Sequence, residues 1–155
     1  MNMIKQSVKS VNANPNNSAG LLIRDTMMHL QVLVRAKIKE DDLSPAQYFL
    51  LRTLWETEGL SQRELSDQVC TTEPTTQSAI LRMEKQGLVK RPRNEDDKRA
   101  YRVYLTNKGR NLEKKLVPSM NEINKIISKD IKGPDRRLFM KLIRKMRQNL
   151  RDEIF

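Results

Sequence analysis

The sequence predicts a mainly α-helical protein with one small β-hairpin, and three observations carry that expectation. From Gly20 onward apolar residues return every three or four positions through most of the chain, the period of a helix buried on one face. Ser44 before Pro45, and Ser61 three residues ahead of Glu64, stand where helix N-caps belong. Strand-like runs occur only at Leu88 to Arg91 and Tyr101 to Leu105, on either side of a polar loop.

Residues 1–18 are rich in Asn, Ser and Lys and lack the apolar run of a signal peptide or membrane span, so a flexible tail is expected. Leu22, Thr26, Leu30 and Leu33 mark a first helix within 19–42, which fades in the charged stretch from Lys37 to Asp42. A second helix starts at the Ser44 cap, carries Phe49, Leu50, Leu54 and Trp55, and is closed by Gly59. The capping-box spacing of Ser61 and Glu64 opens a short third helix to about Val69. Thr72, Glu73 and Pro74 open a fourth that Gly87 ends, with Ile80 and Met83 inward and Thr75, Gln77, Ser78 and Arg82 outside.

The two strand-like runs then form a hairpin whose tip is the polar loop from Asn94 to Lys98. Two further helices close the chain. One carries Leu112, Leu116, Met120, Ile123 and Ile127, with a bend or break expected at Pro118; the other carries Leu138, Leu142, Ile143, Met146 and Leu150.

Short helix, turn, helix and charged hairpin in that order make a winged helix-turn-helix, whose chemistry is groove reading. An α-helix fits the major groove, where base edges differ in donors and acceptors, and short polar side chains near its N-terminus can reach them. Thr75, Thr76, Gln77 and Ser78 occupy those positions. A basic hairpin beside the helix places Arg and Lys on phosphates or in the adjoining minor groove; Arg93, Lys98 and Arg99 are its candidates.

The stretch from Leu43 to Gly109 resembles the MarR family of regulators. The residues that carry the likeness are Leu43-Ser44-Pro45-Ala46-Gln47, Ser61-Gln62-Arg63-Glu64-Leu65 and Met83-Glu84-Lys85-Gln86-Gly87-Leu88-Val89-Lys90-Arg91. Asn94-Glu95-Asp96-Asp97-Lys98-Arg99 and Val103-Tyr104-Leu105-Thr106-Asn107-Lys108-Gly109 complete it. The resemblance implies a DNA-binding lobe over 43–109 and a two-fold homodimer built from the helix in 19–42 and the C-terminal helices in 110–155. It further implies a pseudo-palindromic DNA site and a small, often aromatic or phenolic, effector that weakens binding. Arg99 then matches the wing arginine that enters the minor groove, and Asp97 the acidic partner that holds the wing in shape. With Arg82 and Arg91, these complete the expected DNA-contacting set. Pro74 and Glu73 depart from the common pattern.

For the effector, a crevice lined by Trp55, Met28, Leu30 and Met120 is expected where the first, second and fifth helices meet the DNA-binding lobe, with His29 or Arg52 orienting a polar head. Dimerisation also has a physical motive, since a lobe of this size cannot cover three additional amphipathic helices.

Other readings are weaker. The chain holds 30 Lys plus Arg against 19 Asp plus Glu, which favours polyanionic partners without naming one. The wing region 87–110 has 8 basic against 3 acidic residues, yet 111–155 holds 12 against 6, so charge alone does not locate DNA contact. Cys70, the one cysteine, fits a small, partly buried thiol better than a redox sensor, and nothing points to an oxidising compartment; a cytoplasmic protein is the default. His29 is better read as a packing or surface residue, and one His with one Cys supplies too few of the usual ligands for a metal site. No cofactor is implied. An enzyme lacks its parts, having no phosphate loop, nucleophile elbow or paired histidine. A winged helix used for protein interaction or nucleoid binding, without ligand response, is the remaining alternative.

Overall fold

The computed structural model describes residues 18–92 and 101–154. Helix starts are set by side-chain caps, as local physics dictates. The Ser18 hydroxyl accepts from the Leu21 amide and opens α1 (Ala19–Ile38). A 3₁₀ turn, Lys39–Asp41, follows, and Asp42 stops it in the left-handed conformation at φ 51°, which Asp tolerates better than most residues. Ser44 and Gln47 form a reciprocal capping box at the start of α2 (Pro45–Glu56). Ser61 and Glu64 do the same for α3 (Gln62–Val69), which ends on Cys70 at φ 53°. Thr72 caps α4 (Glu73–Lys85), and Gly87 reverses the chain beyond it at φ 70°.

The hairpin strands are β2 (Val89–Lys90) and β3 (Arg102–Leu105), paired antiparallel with Val89 opposite Leu105. A third strand that the sequence pattern does not announce, β1 (Leu60–Ser61), pairs with the other edge of β3, Leu60 opposite Val103. The sheet order is β1-β3-β2. Two residues offer no alternation to read; β1 exists because β3 supplies its ladder.

Beyond the sheet come α5 (Asn107–Ile127) and α6 (Gly133–Ile154). Pro118 lies inside α5 without breaking it.

The chain divides into two units, the first ending at Leu116 and the second beginning at Val117. In the first, α2, α3 and α4 pack on one another, α1 lies on α2, and β3 closes against α2. Leu51, Leu65 and Met83 are fully buried there, with Leu50, Leu54, Ile80, Val103 and Leu105 almost so. Each such side chain contributes about 1.5–3 kcal/mol relative to exposure. Tyr48 joins this core, and burial raises its phenol above the ordinary value, partly offset by Arg52.

In the second unit α6 buries nothing. Leu138 and Leu142 are exposed, and Leu150 is 62% exposed. The same holds along α1, where only Val34 and Ile38 are buried while Leu22, Met28 and Val32 are open. No helix among the described residues is long and apolar enough to cross a membrane.

Candidate nucleic-acid interface

The candidate reading element is α4. Its inner face is fixed by Ala79, Ile80 and Met83, all buried, so helical geometry turns Gln77, Leu81 and Lys85 outward at four-residue spacing. Gln77, Ser78, Leu81, Arg82 and Lys85 are exposed. Gln77 and Arg82 make no hydrogen bond or ion pair among the described residues, leaving an amide and a guanidinium open to a ligand. The Ser78 hydroxyl donates to the Pro74 carbonyl at 2.9 Å, so only its acceptor side is open. Thr75 is exposed, and its hydroxyl lies 2.9 Å from that of the capping Thr72.

Thr76 is a correction. The sequence pattern places it among the base-reading side chains, yet it is completely buried and its Oγ1 has no hydrogen-bond partner. It sits three residues before Ala79 and four before Ile80, on the face α4 turns to the core. Leu81 and Lys85 escape the sequence reading. Their spacing of four and eight residues from Gln77 is the available signal, and an apolar side chain at Leu81 suits contact with a thymine methyl.

Arg91 also has a different setting from the open cation expected. Its Nε and Nη2 donate to Glu84 Oε2 at 3.0 and 2.6 Å, and its guanidinium lies 5.6 Å from the Tyr101 ring centroid. With a side chain only 22% exposed, it ties the root of the hairpin to the last turn of α4. The other expected wing contacts, Arg93, Asp97, Lys98 and Arg99, lie outside the described residues.

At the start of α3 the capping carboxylate is exposed. The Glu64 carboxylate accepts from the Ser61 amide at 2.7 Å, which holds it below the ordinary carboxylate value, with the Ser61 hydroxyl and Arg102 adding to the effect. Glu58 braces the opposite side of the sheet, accepting from the Leu105 amide at 3.1 Å and from Arg110 at 3.0 and 2.9 Å.

Within the first unit, the expected effector residues have separate settings. Trp55 lines an open crevice of about 520 Å³, but its companions there include Glu58, Leu105, Asn107, Arg110 and Lys114. Met28, His29, Leu30 and Arg52 do not line it. His29 Nδ1 lies 2.8 Å from the Asp25 carbonyl in its own helix, and Arg52 pairs with Glu56 one turn on. Met120 is half-buried in the second unit. Cys70, expected to be partly buried, is exposed because its left-handed backbone ends α3 at the surface. Among the described residues no cluster of metal-ligating side chains occurs.

Comparison with known proteins agrees with this arrangement. The MarR family profile matches residues 43–101. Transcriptional regulator HosA of Escherichia coli O111:H- is 31% identical over 105 residues, spanning 68% of this chain and 78% of that protein. The organic hydroperoxide resistance transcriptional regulator of Bacillus subtilis is 38% identical over 71 residues, covering 46% of this chain and 48% of its own. The crystal structure of a MarR transcriptional regulator from Methanosarcina mazei Go1 matches with a TM-score of 0.76 at 30% identity, covering 83% of this chain and 95% of that one. These likenesses and the winged helix with its outward α4 face establish that the chain belongs to the MarR family of DNA-binding transcriptional regulators, which are not enzymes.

Proposed function

We propose that this protein is a sequence-specific repressor that binds a pseudo-palindromic operator as a homodimer and is released by a small, largely apolar acid or phenol. The observation that carries operator reading is the outer face of α4, where Gln77 is unpartnered among the described residues and flanked by Ser78, Leu81, Arg82 and Lys85. An amide can bond adenine at both N6 and N7 on its major-groove edge, an apolar side chain can meet the thymine methyl, and the cations can hold phosphates. The exposed apolar residues of α1 and α6 support the dimer, because faces of that size call for burial against a second chain. Two copies of α4 related by a two-fold axis would read half-sites about 10 base pairs apart. A dimer lying across a promoter blocks polymerase without further contacts.

Selection from randomised half-sites tests the reading. Gln77→Ala should relax preference at one position per half-site, a loss on the order of 1–3 kcal/mol of discrimination. Arg82→Ala should instead weaken all sequences alike. If the Gln77 variant keeps the parent preference, α4 does not read bases through that residue. For the effector, calorimetric titration of aromatic carboxylates with and without operator should give affinities differing by the same factor by which the ligand weakens DNA binding. Equal affinities in the two titrations would remove the compound as an inducer.

A further inference from the structure

We propose that Gln86, clamped between the buried Gln47 amide and Asp42, is a positioning residue that fixes the angle of α4 against the end of α1 and thereby sets operator discrimination. The inference rests on the operator-reading function above.

Gln86 is the C-cap of α4, its amide donating to the Arg82 carbonyl at 2.9 Å. Its side-chain Oε1 accepts from Gln47 Nε2 at 2.7 Å, and its Nε2 donates to the Asp42 carbonyl at 2.8 Å and approaches Asp42 Oδ2 at 3.3 Å. Its own carbonyl accepts from Lys108 Nζ at 2.9 Å. One residue therefore joins the turn after α1, the first turn of α2, the end of α4 and the start of α5.

The direction of this relay is determined throughout. Asp42 offers only acceptors to Gln86, so the Gln86 nitrogen must face it and the oxygen must face Gln47. Gln47 must then present its nitrogen to Gln86, which leaves its oxygen for the Ser44 amide, the bond found at 2.9 Å. Gln47 is completely buried, so no water replaces a lost partner at no cost. The turn at the far end is moored as well: Lys115 Nζ donates to Asp41 Oδ1 at 2.8 Å, and that bond raises the Lys115 ammonium above its ordinary value.

Apolar contacts alone would let α4 slide or tilt at small cost, whereas these directional bonds are satisfied in one setting. Gln77 lies nine residues from the anchor, about 13 Å along the helix axis at 1.5 Å per residue. At that reach a tilt of about 5° moves the reading side chains by roughly 1 Å, enough to spoil a bidentate bond to a base.

The test uses the full chain and the duplex it selects from randomised DNA, with a scrambled duplex as control, at one stated salt concentration. Gln86→Glu keeps an acceptor for Gln47 but turns a carboxylate toward Asp42. It should lower the selected-to-scrambled affinity ratio by about tenfold or more, with scrambled-duplex affinity little changed. Gln86→Met, which fills the same space and bonds at neither end, is the second variant and should lose the ratio likewise. Parent ratios in both single variants, or equal losses on selected and scrambled DNA, would overturn the positioning role. If the parent protein itself does not distinguish its selected duplex from the scrambled one, operator reading fails first and this inference with it.

Discussion

Among single residues, the structure separates side chains left exposed on the outer face of α4 from those held by contacts within the lobe. Arg91 belongs with the second group by its contacts to Glu84 and Tyr101. Arg91→Ala and Glu84→Ala should each weaken DNA binding by about 1 kcal/mol with an unchanged salt slope. A titration over several salt concentrations checks this; if only Arg91→Ala acts, and flattens the slope by about one contact, Arg91 touches phosphate instead. Thr76→Val should be neutral or stabilising by up to about 1 kcal/mol in urea unfolding, since it removes a buried hydroxyl oxygen that has no partner. Altered base preference in that variant would return Thr76 to the reading set. Glu64 gives a pH signature. Its folded value lies below 4.5, the ordinary one, so its stabilising effect is complete above 4.5 and is lost as pH falls through the depressed value. Its exposure keeps the effect small. Glu64→Gln should keep the capping geometry, lose a few tenths of a kcal/mol at neutral pH and show a shallower decline in thermal stability below 4.5. An unaltered pH profile would mean the Ser61 bond does not matter to the fold.

Among the elements, two glycines near the wing root have different roles. Gly87 takes φ 70° with nothing within 4 Å of an added Cβ, so Gly87→Ala meets only the left-handed backbone penalty of about 1–2 kcal/mol. Gly109 has no such backbone, but a Cβ there would collide with the Leu88 carbonyl oxygen. Gly109→Ala should force α5 away from β2, cost about 2–4 kcal/mol and loosen the hairpin root. Thermal unfolding of the two variants ranks them, and an equal shift would refute the close approach. Helix starts at Ser44, Ser61 and Thr72 are legible in the sequence because a cap bonds within three residues of itself. The β1 strand is not, because its two residues are defined by Val103 and Arg102 across the sheet. Proline chemistry alone points to a bend or break at Pro118, and α5 continues through it.

For the molecule as a whole, α1 and α6 leave Leu22, Met28, Val32, Leu138, Leu142 and Leu150 exposed, which is the physical motive for a second copy. Leu142→Asp should shift sedimentation from dimer toward monomer and weaken operator binding by tenfold or more, about 1.4 kcal/mol. An unchanged sedimentation profile would overturn a dimer contact through Leu142. Helix order, the caps, the inward Ile80 and Met83 and the winged-helix family can all be read along the chain, because periodicity and capping are written in neighbours three or four residues apart. The burial of Thr76 beside exposed Thr75, the hold of Glu84 on Arg91 and the reach of Gln47 to Gln86 across 39 positions emerge only in the folded molecule. They depend on which face of a helix meets which neighbour after the chain has closed on itself, and no local pattern encodes that meeting.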